Sequence, residues 1–283
     1  MQRSVTIKLL QTLQRGCSSL GAEARELIVG FLLSQRTERG AYVNKQGEED
    51  LYYTTFGWLL ESTLGLRQDA EAMERYIAEV DLESLDLVHY AAAVRCRLLQ
   101  RGAKGRLSLL WQALQHTPTR ELESFKSVPN NDTEAPYTQF IWMSLCEDTR
   151  NDYRAAELDA YRTSDGGYAN VKGGNEMATN ATAAALIVMG QSEGYASERV
   201  RSLVDMQHPS GGFKASPMAP VPDLLSTATA LFVLDCYGVK PTYDATDFVE
   251  AHWLANGGFA ATLLDERSDV EYLFYGLLAL GTL

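Results

Sequence analysis

Tyr53, His89, Tyr137 and Tyr272 each lie three residues after the start of a segment that is apolar on nearly every face, and Asp223 opens another such segment. A histidine titrates near neutrality and can take or give a proton. A tyrosine can donate a hydrogen bond or present its ring to a developing positive charge. These five residues form the candidate catalytic set, with His89 as base and the tyrosines as hydrogen-bond donors or aromatic stabilisers of a cation. Deeper in the same segments stand Phe56, Trp58, Phe140, Trp142, Phe232, Phe274 and Tyr275, which could wall an apolar shaft for a ligand. A mostly apolar cavity with a few polar groups at its mouth suits an elongated hydrophobic molecule. The rings also have a plain packing use, because buried aromatics fill cores while tyrosine hydroxyls reach water. The shared offset favours a ligand, since packing does not require polar tips at one level.

Other chemistries find less support. Glu48-Glu49-Asp50, Glu134 and Asp265 to Glu271 also fall at the predicted mouth, where paired carboxylates could act as the acid and base of a glycosidase. Acids at helix starts are, however, ordinary capping and dipole partners, and that use is preferred. Cys17, Cys96, Cys146 and Cys236 show no C-x-x-C spacing and read as reduced core residues. Gly173-Gly174 lacks the Gly-Lys-Ser/Thr of a phosphate loop. No metal and no cofactor are expected. A net charge of −12 argues against nucleic acid and anionic membrane surfaces as partners. No apolar run approaches the ~20 residues needed to span a bilayer. Residues 1–15 alternate charged and apolar positions without the apolar stretch of a secretory leader, so a cytoplasmic location is expected.

The elements that must position these residues repeat. Asp165-Gly166-Gly167-Tyr168, Ser210-Gly211-Gly212-Phe213 and Asn256-Gly257-Gly258-Phe259 carry equivalent glycines 45 and 46 residues apart (211 − 166 and 257 − 211). A period in this range marks a repeat architecture. The apolar segments begin near Asp50, Asp86, Glu134, Ala178, Asp223 and Asp269, and the acids there suit helix N-termini. Residues 224–234 are apolar or small on every face, and a helix of that kind must be buried all round. Residues 67–80, 150–161 and 196–207 are instead amphipathic. Six of each pack most economically as an inner ring shielded by an outer one. The last apolar segment ends Leu277-Leu278-Ala279-Leu280-Gly281 without a polar capping repeat, which favours closure over an open solenoid. The expected fold is all-α: a single closed α/α toroid domain of six helix pairs over residues 1–283, with an extra N-terminal helix at 3–15. The loops 129–136 and 217–222 lie on the mouth side, as lids or simple connections.

The Gly-Gly-aromatic turns and the helices after them resemble the prenyltransferase and terpene-cyclase superfamily. Gln207-His208-Pro209-Ser210-Gly211-Gly212-Phe213 is similar to its Q-x-x-x-G-x-W/F repeat, the prenyltransferase and squalene oxidase repeat, and residues 35–42 give a looser copy. The resemblance implies two known chemistries, and both lack residues here. Protein prenyltransferase β subunits hold zinc through a D-x-C motif and a later His; this chain has Asp223-Leu224-Leu225 and Tyr272 at those places, leaving one ligand of three. Asp235-Cys236 lacks the intervening residue and sits at the far end of its segment. Class II terpene cyclases use D-x-D-D-T-A, whose central acid donates a proton. Here the motif reads Asp223-Leu224-Leu225-Ser226-Thr227-Ala228, without the central carboxylates, and the chain leaves no room for the second helical domain those enzymes usually carry. The reading is therefore a prenyltransferase-like toroid that handles an isoprenoid-like or other long apolar ligand, a hydrophobic small molecule or lipid, by neither chemistry. The alternative is a non-catalytic module for a protein partner, as prenyltransferase β subunits work beside a helical α subunit. A zinc-dependent β-like subunit is a third reading.

Overall fold

The computed structural model describes residues 4–105, 134–154 and 157–283. The first fifteen-residue helix, α1 (Val5–Ser19), is followed by α2 (Ala22–Ser34), α3 (Leu51–Thr63), α4 (Ala70–Ala78) and α5 (Leu87–Gly105). The chain continues through α6 (Pro136–Thr149), α7 (Thr179–Glu193), the short α8 (Arg201–Val204), α9 (Leu224–Tyr237), α10 (Thr246–Ala251) and α11 (Val270–Leu280). The pair Phe213–Lys214 and Pro222–Asp223 makes a two-residue antiparallel ladder.

Six helices close a ring. Each packs on the next in the order α3, α5, α6, α7, α9 and α11, and α11 packs back on α3. These are the six apolar segments of the sequence. Their starts follow from local chemistry. Asp50 accepts hydrogen bonds from the amides of Tyr52 and Tyr53, Asp223 from Ser226 and Asp269 from Tyr272, so each acid caps a helix N-terminus. Asp86 does the same for the amide of His89. Ten of the fifteen residues of α7 and ten of the fourteen of α9 are buried, spread over every face, as the absence of a polar face requires.

Among the described residues, the outer layer is not built of full helices throughout. Helices α2 and α4 are complete, but residues 150–161, read as an amphipathic helix, are helical only in a 3₁₀ turn at Asp159–Tyr161 among the described residues. Arg150 ends α6 in the left-handed conformation, which turns the chain out of any continuing helix. Residues 196–207 form a 3₁₀ turn, Ser197–Val200, and the single turn of α8. Of the loop 129–136, residues 129–133 lie outside the described residues.

The Gly-Gly-aromatic turns are one recurring device. Antiparallel bridges join Arg36 to Tyr42, Arg162 to Tyr168, Gln207 to Phe213 and Trp253 to Phe259. Gly40, Gly166, Gly211 and Gly257 take φ between 85° and 93° at the tip, where a side chain would be strained. Each aromatic is buried, and its amide is received by a hydroxyl at or near the start of the next inner helix. Tyr42 donates to Thr54, Tyr168 to Thr182, Phe213 to Thr227 and Phe259 to Ser268, all at 2.8–2.9 Å. Each turn is thereby stapled to the ring helix that it precedes.

Helix α1 is more than an extra. It crosses the C-terminal ends of the ring helices, packing on α11 and also on α3, α6 and α9. The amide of Val5 donates to both carboxylate oxygens of Glu147 at 3.0 and 3.1 Å, and Thr6 Oγ1 donates to Asp148. Asp235, near the end of α9, takes Lys8 Nζ at 2.7 Å and Arg15 Nη2 at 3.0 Å. Backbones touch where α1 meets α11: a Cβ on Gly16 would lie 2.0 Å from the Leu277 carbonyl oxygen.

Candidate functional site

The ring encloses a cavity of about 580 Å³. This volume falls in the range of about 300–1,000 Å³ usual for small-molecule sites. Its wall is built by one rule. Each ring helix exposes to the axis a stripe that starts two residues after its capping position and continues at helical spacing: Tyr52, Thr55, Phe56 and Leu59 on α3; Tyr137, Phe140, Ile141 and Ser144 on α6; Asn180, Ala183, Ala184 and Ile187 on α7; Glu271, Phe274, Tyr275 and Leu278 on α11. Helix α9 contributes Leu225, Thr229, Phe232 and Val233, and α5 contributes Val88, Ala91, Ala92 and Arg95. Positions i, i+3, i+4 and i+7 share one face of a helix, so a single face of every ring helix suffices. The α7 side is lined with alanine and isoleucine, whereas α3, α6 and α11 supply nearly all the rings.

This rule moves the predicted polar set. The offset of three residues read from the sequence is one too many, and one residue turns a helix by about 100°. Of the five candidate catalytic residues, Tyr137 lines the cavity; Tyr53, His89, Asp223 and Tyr272 do not. His89 Nδ1 lies 2.8 Å from Asp86 Oδ1, and its Nε2 lies 3.9 Å from Asp50 Oδ2. Asp223 caps α9, with Oδ1 on the Ser226 amide at 2.8 Å and Oδ2 on the Ser226 hydroxyl at 2.7 Å. Burial raises its carboxyl above the usual range against those hydrogen bonds. Tyr272 lies under the Lys45 ammonium, 4.7 Å from its ring centre. Burial pushes the Tyr53 hydroxyl up to about 12.

Among the predicted shaft residues, Phe56, Phe140, Phe232, Phe274 and Tyr275 are on the cavity wall. Trp58 and Trp142 are not. Trp58 is 1% exposed, packs edge-on against Tyr76 and donates its indole N–H to the Gly40 carbonyl at 2.8 Å, which fixes it between the ring and the outer layer. Trp142 packs with the α5–α6 contact.

The polar residues that do face the axis form two groups. At the mouth, Tyr52 donates to Glu271 Oε1 at 2.8 Å. Tyr137 and Tyr275 lie near enough to interact with both Tyr52 and Glu271. Phe56 meets Tyr52 edge-on, 4.8 Å between ring centres, and lies tilted to Tyr275 at 6.3 Å. Burial raises the Glu271 carboxyl above its ordinary range, opposed by the Tyr52 hydrogen bond, and burial raises the hydroxyls of Tyr52, Tyr137 and Tyr275. At the floor, Val5, Leu9 and Leu10 of α1 join Arg95, Ser144, Glu147 and Asp148. Arg95 donates to Asp148 at 3.1 Å and to Ser144 at 2.6 Å. Burial raises Glu147 despite the amides of α1 that it accepts. Tyr52 was missed in the sequence because Tyr53 stands next to it, and Glu271, read there as one of several mouth acids with a capping use, was passed over for Tyr272; the stripe Tyr52, Thr55, Phe56, Leu59 is the signal that separates the two registers.

Among the described residues no group of three or more His, Cys, Asp and Glu side chains converges as a metal site, and the four cysteines are free. Burial holds the Cys17 thiol up at about 11 and the Cys96 thiol at about 12. No helix among the described residues is long and apolar enough to cross a membrane.

No family model matches the chain, and no curated protein matches it by sequence. Its architecture is similar to that of the type II terpene cyclase MstE from Scytonema, solved in its apo form, with a TM-score of 0.51 and 14% identity. The likeness covers 96% of this chain and 97% of that one. At this identity the likeness is one of fold: the chain has a terpene cyclase-like helical ring.

Proposed function

We propose that the protein holds a long apolar molecule, isoprenoid-like in shape, inside its ring, without the zinc site or D-x-D-D acid of the superfamily it resembles. The observation that carries this reading is the cavity itself: six helices turn a face of apolar and aromatic side chains toward a shared space. Filling that space with a hydrocarbon removes apolar surface from water on both partners. Apart from Thr55 and Thr229, the polar groups sit toward the two ends, so a chain lying along the axis meets mainly rings and aliphatic side chains. The neighbouring cyclase supports the isoprenoid class, because the same architecture serves a terpene cyclase there.

The test is binding. Protein purified from its own host and examined by native mass spectrometry is expected to carry a copurifying lipid, and the emptied protein is expected to melt higher with farnesol, a prenyl diphosphate or a fatty acid. Ala184→Phe, which places a ring in the cavity from the α7 side, is expected to remove that shift. An unoccupied protein with no shift from any of the three ligands overturns the reading.

A further inference from the structure

We infer that the mouth of the cavity is a site for an organic cation, so that the molecule held in the ring is an amphiphile with an ammonium head and an apolar chain. The inference rests on the proposed apolar occupant and adds its head group. The described mouth offers one carboxylate that points into the cavity, Glu271. Its Oε1 takes the Tyr52 hydroxyl at 2.8 Å, and no hydrogen bond among the described residues reaches Oε2. Tyr137, Tyr275 and Phe56 complete the surroundings on the cavity wall. A carboxylate set among aromatic rings is a chemistry that recognises ammonium groups: the ring faces attract the cation, and the carboxylate neutralises it in a place poor in water.

The wider charge pattern points the same way. Beyond burial, the charges of Asp269 and Asp50 raise the proton affinity of Glu271 and the charge of Lys45 opposes them, so two acids and one base act on it. The described bases nearby are engaged by acids. Lys45 lies 3.7 Å from Asp269, where it also favours the charged form of Glu271, and His89 lies against Asp86. A phosphate or carboxylate head placed beside Glu271 would bring two anions together with apolar walls around them, which is costly. An ammonium head instead supplies the charge that the buried carboxylate lacks.

Three ligands with one chain separate these possibilities: dodecyltrimethylammonium, dodecanol and dodecanoate, each titrated calorimetrically below its micelle concentration. The ammonium is expected to bind roughly tenfold more tightly than the alcohol, and the carboxylate more weakly than either. Glu271→Gln, checked for folding by its melting curve, is expected to bring the ammonium down to the level of the alcohol while leaving the alcohol unchanged. Equal affinities, a tighter carboxylate, or an ammonium preference that survives in E271Q overturn the cation site while dodecanol binding upholds the apolar cavity. Loss of dodecanol binding in E271Q would assign Glu271 to the fold rather than to the head group. Binding of none of the three overturns both readings.

Discussion

The two ends of the cavity use the same side-chain types for opposite purposes. At the floor, the carboxylates of Glu147 and Asp148 are taken up by the chain: α1 amides, Thr6 and Arg95 surround them. At the mouth, Glu271 has one tyrosine hydroxyl and an open oxygen. Both glutamates are raised by burial, so the direction of the shift does not tell them apart. Their partners do. A buried acid whose acceptor sites are filled is structural, and one left with spare capacity in a cavity is available to a ligand.

This contrast can be broken by substitution, with the larger effects expected at the floor. Asp148→Ala removes the acceptor of both Arg95 and Thr6 at a partly buried site, and losing charged hydrogen bonds there should cost about 2 kcal/mol; a melting curve that does not move would show the floor to be dispensable. Gly16→Val forces a side chain against the Leu277 carbonyl and should cost about 2 kcal/mol by overpacking, read as a lower urea midpoint with an unchanged slope. At the mouth, Tyr52→Phe removes one hydrogen bond and should cost about 1 kcal/mol or less in chemical denaturation. Glu271→Gln should leave the melting temperature at neutral pH unchanged or slightly higher, since it removes a charge that burial disfavours.

The last variant also sharpens the comparison through pH. A carboxyl whose folded pKa is raised above 4.5 takes up its proton first in the folded state. Its contribution is therefore fully present below 4.5 and is lost as the pH rises through the folded value. The stability of the parent should rise with acidification over that window more than the stability of E271Q does. Parallel melting profiles for the two proteins would remove Glu271 from the titration. His252, whose pKa burial lowers from 6.5, acts in the other direction and is common to both proteins.

The fold was largely legible in the sequence, and the site only in part. Asp50, Asp223 and Asp269 mark helix starts because a carboxylate there satisfies open amides, a local effect with a local signature. The apolar-all-round segments report burial without reference to distant residues. Which face looks inward is harder. Tyr52 and Tyr53 are neighbours, as are Glu271 and Tyr272, and a one-residue change in register exchanges them while leaving the composition of the segment unaltered. The recurring hydroxyls Thr54, Thr182 and Thr227, two residues further along than the cavity stripe begins, each receive the amide of a turn aromatic. Trp58 has the same lesson: a ring on an inner helix can face outward when its N–H finds a carbonyl there. The docking of α1 joins Val5 to Glu147 across 142 positions, and no local pattern announces such a contact.

The seam of the ring has a consequence for how the chain is made. Helix α11 is both the partner that returns to α3 and the principal support of α1. During synthesis neither junction can form until residues 270–280 have left the ribosome, so the preceding five ring helices wait as an unsealed arc with apolar edges at both ends. A nascent chain halted before Val270 should be a substrate for chaperones, and one released just after Leu280 should not.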